Sequence, residues 1–467
     1  MSLSSPVFFV FFLCVVALYW ALGGSRRGQQ VLLLVANLFF LAKFGPVYLV
    51  LPVAALVDFA IGLRLGTPGM ATALRKTWVS LSLLLNVGLL VFFKTLPILD
   101  ARRGGREWGW LFTLSLSFYC FQSLSYTLDV YRGDAKPERN AISYLASALF
   151  FPTILAGPIP RTAKLLRQWG KPFGLTRQQG ATALLLIATG LVKKLLVADY
   201  LADNLVNRVF DTPLLYSGVE NLLAVYGYAL QLFFDFSGYT DIAMGVAMLL
   251  GFAVPENFRT PYLSVNLQDF WKRWHISFSS WLTDYLFESL PKSRAWLKST
   301  FTYAIVTTFL LGGLWHGFTW NFLIWGALHG VVLSLVFVWS QSRWKKGRKR
   351  RLGEGPLWAR VLGALVTFHF VCFTWVFFRA QDLSTAKLVF QQIASHTPGT
   401  ENVTPALWGV LSFAALAQAI PQDWFDRAAR WAEWMPFWVQ GAAVAGVVLL
   451  IQQLAGKGSA GFVYGAF

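Results

Sequence analysis

Apolar runs of about 20 residues recur along the chain, and that repetition leaves few folds open. The first, Pro6 to Leu22, is followed by others near 29–42, 46–63, 78–97 and 108–130. Each can cross a hydrocarbon core of about 30 Å as a helix, whose backbone N–H and C=O groups are satisfied internally. With 56% apolar and 13% charged residues, 21 Trp and 41 Phe among 467 residues, a string of water-soluble domains is excluded. The expected fold is all-α, a polytopic integral membrane protein forming a single transmembrane domain. Nothing basic precedes the first run and no small-residue cleavage pattern follows it, so it is expected to stay as a helix rather than serve as a signal peptide.

The formal net charge of +18 would suggest nucleic acid in a soluble domain. Here the basic residues sit in short loops between spans, which is the signature of cytoplasmic loops, and no nucleic-acid partner is expected. Placing Arg26, Arg27, Arg64, Arg75, Lys76, Arg132, Lys136 and Arg139 inside puts both termini outside, with about ten or eleven passes including partial ones. The loop Asp100 to Glu107 disagrees, since Arg102, Arg103 and Arg106 fall on the outer side. The densest run, Arg343 to Arg351, is suited to anionic lipid headgroups, so the bilayer itself is a partner. Cys14, Cys120 and Cys372 are scattered in apolar segments and show neither disulfide nor thiolate-metal spacing.

From 141 to 215 the apolar stretches shorten to about 15 residues and are broken by Pro152, Gly157, Pro158 and Pro160. Re-entrant or interfacial helices are expected there, and with them an internal cavity or funnel, because irregular backbone at membrane depth must be enclosed by protein or water. Arg161 to Lys171 reads as an amphipathic piece on the cytoplasmic surface. A long helix is expected over Leu214 to Phe252, with Asp235, Ser237, Tyr239 and Asp241 at membrane depth. Its carboxylates are functional candidates, and pairing with Lys193, Lys194 or Arg259 is the structural alternative. Further spans are expected at 300–316, 319–339, 357–378, 403–420 and 436–454. The chain thus divides into N-terminal spans (1–140), a core with re-entrant helices (141–340) and C-terminal spans (341–467).

Two segments carry chemistry. In Asp269 to Leu290 the apolar Phe270, Trp271, Trp274, Phe278, Trp281 and Tyr285 fall at helical spacing, with Lys272, Arg273, His275, Ser279 and Asp284 away from that stripe. One amphipathic helix is expected, anchored by tryptophans, which explains everything except the histidine. In Leu310 to Gly330, His316 and His329 lie in apolar surroundings. The preceding run, Phe301 to Trp315, spans about 22 Å at 1.5 Å per residue, which places His316 inside the membrane. Gly312, Gly313 and Gly317 around it permit close helix approach and an unusual backbone, as admitting a ligand would require. Imidazole is the side chain suited to take a proton from a hydroxyl near neutral pH, and burial favours its neutral, base-competent form. His316 is therefore the base candidate, against the alternative of a packed histidine bonded to a carbonyl. His329 is more evenly divided, and His369 and His396 have no supporting context. No nucleophile elbow, Walker loop, dinucleotide glycine fingerprint or HExxH motif is present, which leaves non-covalent base chemistry. The separations of His275, His316 and His329 match no zinc pattern, and no metal is expected.

These segments resemble those of the membrane-bound O-acyltransferases, specifically the bacterial branch of alginate O-acetylation and teichoic-acid D-alanylation membrane proteins. The resemblance rests on PENFRTPY (255–262), DFWKRWHISFSSWL (269–282) and GGLWHGFTWNFLIWGALHG (312–330). Support comes from SFYCFQSLSYTLDVYRG (117–133), FPTILAGPIPR (151–161), DFSGYTDIAMG (235–245) and WVFFRA (375–380). It implies a funnel-shaped enzyme of the bacterial cytoplasmic (inner) membrane that takes an acyl group from a cytoplasmic thioester and passes it toward an extracytoplasmic acceptor. In that reading His316, within Trp-His-Gly, is the catalytic histidine and His275 the second functional one. His275, with Trp315 or Asn321, would position a reactant or stabilise charge on the thioester carbonyl, and Trp274, Ser279, Asp235 and His329 complete the candidate substrate and donor contacts. No bound cofactor is implied; the donor is acetyl-CoA or another acyl thioester, such as one on an acyl carrier protein.

The wording sits nearer the alginate-type branch, which implies an extracytoplasmic transferase partner or a polysaccharide acceptor. The chain departs from that branch at Thr283 before Asp284–Tyr285, at Pro291-Lys292-Ser293-Arg294 and in its last residues, Phe462 to Phe467, which puts the polymer in question and not the histidines. D-alanyl transfer to a teichoic-acid-type acceptor is the alternative. Two readings of other classes stand beside these: a transporter, motivated by broken helices and by Asp235 and Asp241, and a scaffold that anchors soluble partners through the basic loop.

Overall fold

The computed structural model describes residues 2–101, 111–169, 174–290, 297–345 and 355–454. Most of the Asp100–Glu107 loop, Lys171, Pro291 to Arg294, most of the Arg343–Arg351 run and Phe462 to Phe467 lie outside them. Among the described residues there are helices and no strands.

The first helices are α1 (Pro6–Ala21), α2 (Arg26–Ala42), α3 (Val50–Leu65), α4 (Thr72–Ala101) and α5 (Leu111–Arg132). Short pieces follow: α6 (Ala141–Ala148), α7 (Phe151–Ile154) and α8 (Thr162–Gln168). Next come α9 (Arg177–Asp211) and α10 (Gly218–Leu249), then the short α11 (Leu267–Arg273) and α12 (Ile276–Trp281). The chain ends in α13 (Leu297–His316), α14 (Trp320–Lys345), α15 (Leu357–Arg379), α16 (Leu383–Ala394), α17 (Pro405–Ala417), α18 (Gln422–Trp434) and α19 (Phe437–Leu454). Among the described residues five helices are long and apolar enough to cross a membrane: Val47–Leu65, Thr72–Thr95, Arg177–Asp211, Trp320–Gln341 and Leu357–Arg379. Outward-facing Leu84, Val87 and Val91 on α4 and Leu362, Leu365 and Val366 on α15 are exposed, the pattern of a surface solvated by lipid tails.

The core is organised around α10, most of whose residues are buried. It opens on a capping box in which the Ser217 hydroxyl accepts from Glu220 N–H and the Glu220 carboxylate accepts from Ser217 N–H, so two orphan donors of the first turn are paired. Gly190 of α9 and Gly238 of α10 meet backbone to backbone: a Cβ on either would lie 2.6 or 2.7 Å from the other's carbonyl oxygen. Small residues at that crossing let two membrane helices touch along their main chains.

Two expectations are corrected here. The second half of 141–215 is not broken into short pieces: Arg177–Asp211 is one helical run of 35 residues. Lys193, Lys194 and Asp199 in its middle are ion-paired rather than placed at a loop, and π turns at Val192–Ala198 and Ala202–Val206 absorb the irregularity without ending the helix. The irregular stretch is confined to α6 to α8, where Pro152 and Gly157 stand. Secondly, 269–290 is not one amphipathic helix. It breaks at Trp274–His275, where His275 adopts the left-handed conformation at φ 44°, and resumes as α12 and a π turn, Leu282–Leu286.

Candidate active site

Left-handed backbone at a non-glycine residue costs about 1–2 kcal/mol and needs neighbours that enforce it. At His275 they come from Asn257 in the PENFRTPY loop. Its carbonyl accepts Ile276 N–H at 3.0 Å, and its Oδ1 accepts from the Ser277 N–H at 3.2 Å and hydroxyl at 2.6 Å. The same Oδ1 stands 3.3 Å from His275 Nδ1. An amide oxygen only accepts, so Nδ1 carries the proton and Nε2 is the basic nitrogen of the neutral ring. Phe236 meets this imidazole edge-on at 4.7 Å and Phe278 packs at 5.0 Å.

His316 is the last residue of α13, and the chain turns at Gly317 before α14 begins at Trp320. Gly313 and Gly317 press on Phe322, whereas a Cβ at Gly312 would meet only Leu282 at 3.8 Å. None of the three has a positive φ, so the unusual backbone expected here is absent, and close approach is the role of Gly313 and Gly317 alone. The imidazole is 5% exposed and caged by Trp315 (4.5 Å), Phe378 (4.7 Å), Trp325 (5.3 Å) and Phe322 (5.8 Å) between ring centroids. The two histidines are joined by a chain of ring contacts, since Phe278 touches both His275 and Trp315, the latter at 4.4 Å.

A cavity of about 570 Å³ lies between α11–α12 and the α13/α14 hairpin. Phe278, Gly312 and Trp325 wall it on the side of the histidines, and Ser279, Lys272 and Asp284 contribute polar groups. His316 is not in its wall. The Trp325 indole both lines the cavity and meets the His316 imidazole edge-on at 5.3 Å.

Residues 138–373, half of the chain, match the model of the MBOAT, membrane-bound O-acyltransferase family. The probable alginate O-acetylase AlgI of Azotobacter vinelandii is 35% identical over 398 residues, 83% of this chain and 76% of that one. A peptidoglycan O-acetyltransferase of Helicobacter pylori is 31% identical over 426 residues, 83% and 79% of the two chains. The chain belongs to the membrane-bound O-acyltransferase family. It is an acyltransferase and a multi-pass membrane protein. A teichoic acid D-alanyltransferase of Bacillus subtilis is a more partial relative, 32% identical over 277 residues, 57% of this chain and 68% of that one.

The other residues singled out in this acyltransferase are placed as follows. Trp315 lies between the two imidazoles. Asn321 is buried and donates to the Ala380 carbonyl at 2.8 Å, tying the start of α14 to the end of α15. Trp274 is packed among Phe258, Phe270 and Trp375, and Ser279 donates to its carbonyl at 3.1 Å. His329 has both nitrogens engaged: the Trp271 indole donates to Nδ1 at 3.3 Å, which makes Nε2–H the donor to Thr374 Oγ1 at 2.9 Å. Thr374 donates its own hydroxyl hydrogen bond to the Val371 carbonyl, so the ring is a fixed link between α11 and α15. Asp235 is paired with Lys194 at 2.8 Å, and Lys194 also holds Asp199 at 2.6 Å. Lys193 pairs with Asp241 and Arg259 with Glu256. From α10 it is Phe236, next to Asp235, that reaches His275.

Three participants were not singled out from sequence. Lys94 of α4 donates to the backbone carbonyl of His316 at 3.0 Å. Phe118 and Phe121 of α5 pack on His275 and Trp315 respectively. Lys94 offered a signal, a lone lysine inside an apolar span. The phenylalanines lie in SFYCFQSLSYTLDVYRG (117–133), but nothing in that segment distinguishes them from the many other phenylalanines of the chain.

Proposed function

We propose that this acyltransferase takes an acetyl group from a cytoplasmic thioester, acetyl-CoA or a carrier-bound equivalent, and passes it toward an extracytoplasmic envelope polysaccharide or a partner transferase. The bacterial cytoplasmic membrane is the place where such a donor and acceptor can be reached from opposite sides. The observation that carries the reading is a buried imidazole at a helix end, linked by aromatic contacts to a second, sharply positioned imidazole and bordered by a cavity. His316 takes the proton of the incoming hydroxyl as that oxygen attacks the thioester carbonyl. The tetrahedral intermediate collapses with loss of the thiolate, which takes up the proton, so no net charge is left in the membrane. His275 stands across Phe278 and Trp315, on the side where it orients a reactant. The names of the relatives with near-complete overlap, an alginate O-acetylase and a peptidoglycan O-acetyltransferase, favour acetyl and glycan over D-alanyl and teichoic acid.

The test is His316→Ala in purified, membrane-reconstituted protein. The variant is expected to insert and melt like the wild type and to lose at least about 10³-fold in acyl transfer. Retained transfer would defeat the reading, and solute uptake without acyl chemistry would favour a transporter.

A further inference from the structure

Three stretches that acyl transfer leaves without a task meet at one place, on the side that the positive-inside rule assigns to the cytoplasm. Arg132 ends α5, Arg161 ends the Gly-Pro-Ile-Pro turn before α8, and Tyr285 lies in the π turn after α12. The guanidinium carbons of Arg161 and Arg132 lie 4.5 and 5.1 Å from the centre of the Tyr285 ring, whose hydroxyl donates to Asp129. Arg132 donates to the Asp284 carbonyl and the Ser289 hydroxyl, each at 2.8 Å. Arg161 holds the Asp284 carboxylate at 2.7 Å.

The Arg161–Asp284 pair is lopsided. The Arg161 side chain is 10% exposed and its Nη1 is buried without a hydrogen-bond partner among the described residues, whereas the Asp284 side chain is 55% exposed. A buried guanidinium N–H left unpaired carries an uncompensated desolvation penalty. The anion that Arg161 does hold is a surface carboxylate that another anion can replace. Asp284 also stands in the wall of the cavity that reaches Phe278 and Trp325 beside the histidines.

We propose that Arg161 and Arg132 bind a phosphate of the thioester donor, and that Asp284 occupies the place of that phosphate until the donor arrives. The proposal rests on the thioester reading above. Planar guanidinium forks match phosphate oxygens in a bidentate way that an ammonium does not. A phosphate at the end of the pantetheine arm is common to coenzyme A and to acyl carrier proteins, so the cluster recognises what the two donors share and the cavity takes the arm.

The full-length protein in nanodiscs is assayed for thiol release from acetyl-CoA, S-acetyl-4′-phosphopantetheine and S-acetylpantetheine, the last lacking phosphate. R161Q is expected to raise KM for phosphate-bearing donors by about 10–100-fold and to leave KM for S-acetylpantetheine unchanged. D284N, at an exposed position where folding is little affected, is expected to lower KM for the same donors. A defect confined to acetyl-CoA assigns the contact to the nucleotide phosphates, and one shared by phosphopantetheine assigns it to the phosphate that carrier proteins also present. An equal change for all three donors overturns the proposal and makes the cluster a structural clamp, and an unchanged KM in D284N overturns it as well. An R161Q effect seen only in anionic lipid, and alike for every donor, assigns the arginines to headgroups and also overturns it. Absence of thiol release from every donor by the wild type removes the thioester reading, and the proposal with it.

Discussion

A single methyl group at Gly313 tests whether the hairpin that carries His316 has to pack as closely as it does. A Cβ there would lie 2.3 Å from the Phe322 carbonyl oxygen on α14 and 3.4 Å from the Gly326 Cα. The obstruction is backbone, so no rotamer relieves it. Since such contacts do not fall below 3.0 Å, α13 and α14 must part by about 0.7 Å at least, and by about 1 Å for a relaxed contact. Overpacking of this kind costs about 1–3 kcal/mol of stability. The catalytic consequence is larger, because displacing a reacting group by about 1 Å costs about 10²-fold in rate, or about 2.7 kcal/mol. Gly313→Ala is therefore expected to insert, to melt a few degrees lower, and to lose about 10²-fold in kcat with the donor KM unchanged. Gly312→Ala is the control one residue away: its added Cβ meets Leu282 at an ordinary 3.8 Å, and near wild-type kcat is expected. Both are measured as thiol release per folded molecule in nanodiscs. Full activity in Gly313→Ala, or equal loss in the two variants, would refute the claim that hairpin spacing aims the imidazole.

Lys94→Met removes the charged hydrogen bond to the His316 carbonyl, worth about 1.5–3 kcal/mol. It is expected to lower kcat about 10–100-fold at constant donor KM, with partial rescue by Lys94→Arg; a change in melting temperature alone would make Lys94 only a helix cap. Lys194→Met strands Asp235 and Asp199 without their cation. A destabilisation of about 3–5 kcal/mol is expected in thermal or denaturant melts, partly relieved by adding Asp235→Asn. An unchanged melt would show that the carboxylates do not depend on that lysine.

His316 was legible because its chemistry is local: an imidazole, three glycines and a helix that stops. His275 was legible as a residue but not as a break, since the spacing of Phe270, Trp274, Phe278 and Trp281 is helical throughout. The kink is imposed by Asn257, 18 residues earlier, whose bonds to Ile276 and Ser277 outweigh local propensity. The long helix Arg177–Asp211 was hidden by Lys193, Lys194 and Asp199, charges that end a span on paper but are paired in space, Lys193 with Asp241 and Lys194 with both Asp199 and Asp235. Lys94 marks the limit of such reading, for its partner is a main-chain carbonyl 222 residues away, and a carbonyl has no residue type. Lys94, Phe118 and Phe121 also lie outside the matched segment 138–373. That segment holds both histidines and the PENFRTPY, DFWKRWHISFSSWL and Trp-His-Gly motifs, yet the groups that brace the His316 carbonyl and wall the Trp315 side come from α4 and α5, and Phe378 of WVFFRA, against the His316 ring, also lies beyond it. The candidate base is thus marked by a short local motif, while the groups that brace it come from spans distant in sequence, of which α4 carries none of the motifs.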